Sequence, residues 1–68
     1  MQIESTASLL KKEQVCKVLG ISARTLENLV HDGAFPPAVR LGKWCYWSQR
    51  VVDVWVQRQF AVQESWRP

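Results

Sequence analysis

The stretch of sequence that decides the fold spans residues 15–47 and reads V-C-K-V-L-G-I-S-A-R-T-L-E-N-L-V-H-D-G-A-F-P-P-A-V-R-L-G-K-W-C-Y-W. Apolar residues recur at helical spacing in its first half and fall into two short β-prone runs in its second half. Glycine or proline stands between these segments, where the chain must turn. The order therefore predicts a helix, a tight turn, a second helix and a β-hairpin.

The two helices of this stretch have recognisable ends. The apolar spacing that starts at Val15 predicts a short helix beginning at Lys11 or Lys12. Gly20 stands where a left-handed residue commonly ends a helix, and the Ser22 hydroxyl is a natural N-cap for the next one. A connection of about three residues that contains glycine makes two helices cross steeply. These ends predict a helix-turn-helix arrangement.

The second helix has one apolar face, centred on Leu26, and one polar face. At about 100° per residue, Arg24 and Asn28 point away from Leu26 and Thr25 flanks them. Arginine can bond guanine and asparagine can bond adenine through two hydrogen bonds each. The hydroxyls of Ser22 and Thr25, beside the helix N-terminus, suit a phosphate group. The alternative interpretation is a solvated helix face without a ligand.

Two short β-prone runs, residues 38–41 and 44–47, are separated by Gly42 and Lys43. This length and glycine position are typical of a type II′ hairpin. The cross-strand neighbours in that register are Leu41 with Trp44 and Val39 with Tyr46, with Arg40 and Cys45 on the other face.

The predicted hairpin, or wing, is cationic. Arg40 and Lys43 flank its turn, and no acidic residue occurs between Asp32 and Asp53. These cations suit DNA phosphates, although charges at this place also protect an exposed edge strand from pairing with another chain. Trp44 has three interpretations: packing across the hairpin, anchoring another protein, or wedging against the sugar wall of a minor groove.

The flanking segments complete the domain. Ser48 is a plausible N-cap for a third helix that ends near Phe60, and its valines need tertiary packing to stay helical. Phe35, followed by two prolines, is expected to fill the core between the second helix and the hairpin. Residues 1–8 are predicted to be a loose N-terminal arm and residues 61–68 a C-terminal tail.

Length and composition limit the possible functions. With 68 residues, the chain (1–68) is expected to form one domain without room for a large enzyme cleft. Cys16, Cys45 and a single histidine make neither a zinc site nor a redox pair. Each cysteine stands among apolar residues and is expected to be a reduced core or boundary side chain. No nucleophile or acid-base set is recognisable. We expect no enzymatic activity, no cofactor and no metal, and, without a signal peptide or membrane span, a cytoplasmic protein associated with the nucleoid through DNA.

Three segments together resemble a known family. They read G-I-S-A-R-T-L-E-N-L-V at 20–30, G-A-F-P-P-A-V-R-L-G at 33–42 and W-S-Q-R-V-V-D-V-W at 47–55. They combine a helix stop, a hairpin turn and a third helix at fixed distances. From Leu9 to Arg58, the chain resembles the AlpA-type excisionase and regulator group of winged-helix proteins, which is similar to the DNA-binding part of MerR regulators.

The resemblance implies both a fold and a mode of DNA binding. The fold is mainly α-helical with a small β-hairpin, a winged helix-turn-helix. Members are small phage, prophage or mobile-element proteins whose second helix enters the major groove and whose wing grips the neighbouring minor groove or the backbone. The residues that the resemblance places on DNA are Ser22, Arg24, Thr25 and Asn28 at the major groove and Arg40 and Lys43 at the wing. Ala23, Glu27 and Asn28 depart from the usual residues, as do Trp44 and Tyr46 at normally basic wing positions.

These observations lead to one main hypothesis and two alternatives. The main hypothesis is an excisionase, or recombination directionality factor, that binds and bends double-stranded DNA beside an attachment site with neighbouring copies and assists an integrase. The closest alternative is a prophage transcriptional regulator with the same fold. The alternative from another class is a small protein-interaction module that uses its aromatic residues Trp44, Tyr46 or Trp66. None of the three involves a membrane or a small-molecule substrate.

Overall fold

The computed structural model describes residues 8–68, which form three helices and a small antiparallel sheet. In chain order the elements are β1 (Leu9–Leu10), α1 (Lys12–Leu19), α2 (Ala23–His31), β2 (Val39–Leu41), β3 (Trp44–Ser48) and α3 (Gln49–Glu64). The predicted winged helix-turn-helix is confirmed. Except for Ser8, the predicted N-terminal arm lies outside the described residues.

Local chemistry sets the helix ends where the sequence predicts them. Gly20 adopts the left-handed conformation (φ +68°) at the end of α1. The Ser22 hydroxyl accepts a hydrogen bond from the Thr25 amide at 3.1 Å, and the Ser48 hydroxyl accepts one from the Val51 amide at 3.0 Å. Each hydroxyl thus satisfies an amide that has no partner inside its own helix.

The predicted hairpin register is confirmed. Val39 pairs with Tyr46, Arg40 with Cys45 and Leu41 with Trp44. Gly42 has a φ of +67°, and no non-glycine residue from 8 to 68 has a positive φ. These signs are those of a type II′ turn, in which only the first central residue needs a positive φ. We refer to the hairpin of β2 and β3, residues 39–48, as the wing.

The sheet contains a third strand that the sequence did not predict. In β1, Leu9 lies opposite Ser48 and Leu10 opposite Trp47, so the strand order is β1-β3-β2. Two residues are too few to show alternation, and a strand of this length exists only because β3 offers its free edge. The sheet therefore holds the start of α1 beside the wing.

The third helix is longer than predicted. It continues to Glu64, so the prediction that residues 61–68 form a non-helical tail is wrong for residues 61–64. The apolar pattern fades after Phe60 because residues 57–68 are all exposed and no neighbour selects their side chains. No helix in residues 8–68 is both long and apolar enough to span a bilayer.

The hydrophobic core draws on nearly every element. It contains six buried side chains: Leu10, Val15, Leu26, Phe35, Trp47 and Val52. One comes from each of β1, α1, α2, β3 and α3, and Phe35 comes from the loop between α2 and β2. The wing strand β2 contributes none, since all three of its residues are exposed. The wing is therefore anchored through β3 alone.

Two tryptophans hold the loop that carries Phe35. The Phe35 ring packs at 4.9 Å from the Trp55 ring and at 6.0 Å from the Trp47 ring, centroid to centroid. The Trp47 indole donates a hydrogen bond to the Pro36 carbonyl, and the Trp55 indole donates one to the Ala34 carbonyl, both at 2.7 Å. The expectation that Phe35 fills the core is confirmed, and the carbonyls on either side of it are satisfied as well.

We expect Trp47→Phe to lower the free energy of unfolding by about 1–3 kcal/mol, because it leaves the Pro36 carbonyl without its donor and shrinks a buried ring. The matched control is Trp66→Phe, at a site 66% exposed, where the change should stay within about 0.5 kcal/mol. Urea denaturation of the three proteins measures both values. Equal effects of the two substitutions would contradict the anchoring role of Trp47.

Candidate nucleic-acid interface

The outer face of α2 presents polar side chains to solvent. Arg24, Thr25 and Asn28 are exposed, whereas Leu26 between them is buried. Within the described part of the chain, neither the Arg24 guanidinium nor the Asn28 amide makes a hydrogen bond. Both groups keep their full hydrogen-bonding capacity for a ligand.

The hydroxyls at the start of α2 differ in what they can offer. Ser22 Oγ accepts from the Thr25 amide and donates to Thr25 Oγ1 at 2.9 Å. A serine hydroxyl has one proton, so Ser22 has no donor left for a phosphate in this arrangement. The Thr25 hydroxyl accepts from Ser22 and retains its own proton. Of the two residues predicted to contact phosphate, Thr25 is the better placed.

The wing carries its predicted cations in exposed positions. Arg40 and Lys43 are both exposed. The Arg40 side chain donates from Nε to the Gly42 carbonyl at 3.1 Å, which holds the guanidinium against the turn. Its two Nη groups make no hydrogen bond within residues 8–68. Arg40 shares one sheet face with Cys45, its cross-strand neighbour.

Trp44 lies on the opposite face of the wing and is 52% exposed. Its cross-strand neighbour is Leu41, as predicted, but its ring also contacts two ammonium groups. Lys11 Nζ lies 4.4 Å and Lys43 Nζ 5.7 Å from the ring centroid. Lys11 is not among the predicted site residues, because its place beside the wing depends on β1.

One ion pair joins α1 to α2. Lys12 Nζ on α1 donates a hydrogen bond to Glu27 Oε2 on α2. This hydrogen bond, and then the charge of the Lys12 ammonium group, hold the pKa of Glu27 below its ordinary value of 4.5; Arg24 lowers this pKa further by a smaller amount. The pair neutralises the carboxylate closest to the polar face of α2.

An open groove separates α2 from the wing. Its walls are formed by Glu27, Val30 and His31 on one side and by Ala38 and Cys45 on the other. Both cysteines are free, as expected; Cys16 is half-buried, whereas Cys45 is exposed and is not the core or boundary residue that its apolar neighbours suggested. Between residues 8 and 68 no cluster of three or more His, Cys, Asp or Glu side chains could hold a metal ion.

Comparison with known families gives one match. A family model described as a helix-turn-helix domain matches residues 9–59. The matched range contains every predicted site residue, the wing and the first two-thirds of α3. Neither the curated proteins nor the solved structures include a match to the chain.

We expect Glu27→Gln to lower the thermal midpoint near neutral pH and to have no effect well below pH 4.5. The folded pKa of Glu27 lies below the unfolded one, so its contribution is complete above 4.5 and is lost as the pH falls through the folded value. Thermal unfolding at several pH values measures this difference. In a Lys12→Met background the effect of Glu27→Gln should disappear; an unchanged effect there would show that the ion pair is not its cause.

Proposed function

The chain belongs to the helix-turn-helix domain family, and from this membership we propose that it binds double-stranded DNA in a sequence-specific manner. In this proposal α2 enters the major groove, and the wing contacts the neighbouring minor groove or the backbone. The observation that carries the proposal is the polar face of α2, whose Arg24 and Asn28 are exposed and make no hydrogen bond within residues 8–68.

The proposed contacts on α2 divide into base reading and positioning. Arg24 bonds guanine O6 and N7, and Asn28 bonds adenine N6 and N7. Thr25 donates its hydroxyl to a phosphate beside the helix N-terminus, where the helix dipole also favours an anion. Ser22 acts indirectly by capping the first turn and holding Thr25.

The proposed contacts of the wing are electrostatic. Arg40 offers its two Nη groups, and Lys43 offers an ammonium group at the turn. Such contacts hold the protein on the duplex but do not read its sequence. Because each wing neutralises few phosphates, we expect one protomer to bind weakly and its affinity to fall steeply with salt.

Weak single binding favours an architectural role, in which several copies occupy adjacent repeats. We therefore propose an AlpA-type excisionase that bends attachment-site DNA and assists an integrase, with a prophage transcriptional regulator as the alternative. The exposed apolar residues of the wing, Val39, Leu41 and Trp44, offer a surface for neighbouring copies or for the recombinase. The same residues favour the third candidate, a protein-interaction module without DNA binding.

Sequence reading by α2 is tested by selecting bound duplexes from a random-sequence pool and measuring affinity for the selected site and its single-base variants. Arg24→Ala and Asn28→Ala should each lose about 1–3 kcal/mol of discrimination at one base pair while keeping non-specific binding. Arg67→Ala, which removes the same charge beyond α3, is the control and should discriminate like the wild type. Full discrimination by both α2 variants would overturn the proposed reading.

The architectural role is tested on duplexes that carry one or two copies of the selected site. We expect the second copy to be bound more tightly than the first, and circular-permutation mobility to show a larger bend with two copies. Binding of the copies without cooperativity or bending favours the transcriptional regulator. A wild-type protein that binds no duplex at low salt, but whose partner binding is lost in Leu41→Ser, indicates the protein-interaction module.

A further inference from the structure

Two ammonium groups from different parts of the fold share one aromatic ring. Lys11 Nζ, from the junction of β1 and α1, lies 4.4 Å from the centroid of Trp44, and Lys43 Nζ, from the wing turn, lies 5.7 Å from it. Both are within the ~6 Å over which a cation is attracted to an aromatic face. We call Lys11, Trp44 and Lys43 the lysine clamp.

The charges of the clamp have no counter-ion in the described structure. Among the lysines and arginines of residues 8–68, only Lys12 forms an ion pair with a carboxylate. Two cations held near one ring repel each other, and the quadrupole of the ring offsets only part of that repulsion. An anion beside these ammonium groups would offset the remainder. The clamp is thus a place where an anion lowers the energy of an arrangement that already exists.

We infer that the lysine clamp binds phosphates of the DNA backbone, with Lys11 and Lys43 as the ligating groups and Trp44 as the residue that positions them. This inference rests on the proposed function, because it assigns the phosphates to a bound duplex. It adds Lys11 to the DNA-binding surface and gives Trp44 a role other than reading or wedging bases.

The position of the clamp fits a duplex that also contacts α2. Lys11 directly precedes Lys12, whose ammonium group is bonded to Glu27 on α2. The clamp therefore lies one residue along the chain from a contact with the helix proposed to enter the major groove. Because Trp44 and Arg40 lie on opposite faces of the wing, the clamp and Arg40 would meet the backbones on the two sides of the groove that receives the wing.

The Trp44 ring also orders the two lysine side chains before DNA binds. A free lysine side chain loses much rotational freedom when it binds a single phosphate. Contact with Trp44 already restricts Lys11 and Lys43 in the protein without DNA. Part of the ordering is complete before binding, which strengthens the phosphate contact. Removing the ring should therefore weaken DNA binding although it changes no charge.

The test uses Lys11→Met, which removes the ammonium group and keeps most of the aliphatic stem. Its affinity for a random-sequence duplex is measured by fluorescence anisotropy over a range of salt concentrations. The slope of log affinity against log salt should become shallower by about 0.9, and affinity at 0.1 M salt should fall about eightfold. Lys11→Arg should leave the slope and the affinity at their wild-type values, because arginine keeps the charge and the contact with the ring.

Two further variants make the test specific to the clamp. Lys17→Met removes the same charge from an exposed position of α1 and should leave the slope unchanged. Trp44→Leu should weaken binding about two- to threefold, and Lys11→Met should cost less in that background than in the wild type. Circular dichroism confirms that each variant is folded; the Lys11 amide keeps its bond to the Gln14 side chain in every case.

The outcomes separate this inference from the function on which it rests. A wild-type slope in Lys11→Met, or an equal loss in Lys17→Met, overturns the clamp while leaving DNA binding by α2 intact. Full additivity of Lys11→Met and Trp44→Leu overturns the positioning role of the ring. If the wild-type protein binds no duplex at low salt, the proposed function fails and the clamp fails with it.

Discussion

The relation between α2 and the wing depends on how Phe35 is held between Trp47 and Trp55. The loop from α2 to β2 contains Pro36 and Pro37, which have no amide hydrogens and cannot pair with a neighbouring strand through them. The two indole N–H groups donate to the carbonyls on either side of Phe35 instead. One tryptophan belongs to the wing and the other to α3, so the same contacts join three parts of the fold.

This anchoring matters because three helices and a small sheet offer few other contacts that could position a wing. The outer strand β2 buries nothing, and β3 reaches the core through Trp47. If Trp47 moved, the groove between α2 and β3 would change its width. A groove of fixed width would let α2 and the wing meet the proposed duplex without reorganising first, which preserves binding energy that a small interface needs.

Features that depend on neighbouring residues along the chain were predictable from the sequence. Gly20, Ser22 and Ser48 act through their own backbone or the next helical turn, and Gly42 determines the hairpin register through its φ. These signals are local, so they can be recognised in the sequence without knowledge of the fold. The polar face of α2 was predictable for the same reason, since helical geometry alone separates Arg24 and Asn28 from Leu26.

Features that depend on distant partners were not predictable. Strand β1 is a strand only because it pairs with β3, and Lys11 reaches Trp44 only because β1 is there. The bond between Lys12 and Glu27 joins residues that no periodicity connects. The end of α3 was missed for a different reason: residues 61–64 have no helix-stop signal, and the loss of the apolar pattern there reflects the absence of a packing partner, not the absence of a helix.

The lysines of the described residues differ in their partners, and this difference determines where unpaired positive charge remains. Lys12 neutralises Glu27, and under the proposed function this removes an anion that would otherwise repel DNA beside Arg24. Lys11 and Lys43 contact an aromatic ring and have no carboxylate partner among residues 8–68, so they are held in position without a counter-ion there. Strand alternation then gives the wing two chemically different faces, one with Arg40 and one with Val39 and Leu41. A wing built in this way has cations that suit a polyanion and an apolar surface that suits a protein, the two properties that the proposed architectural role requires.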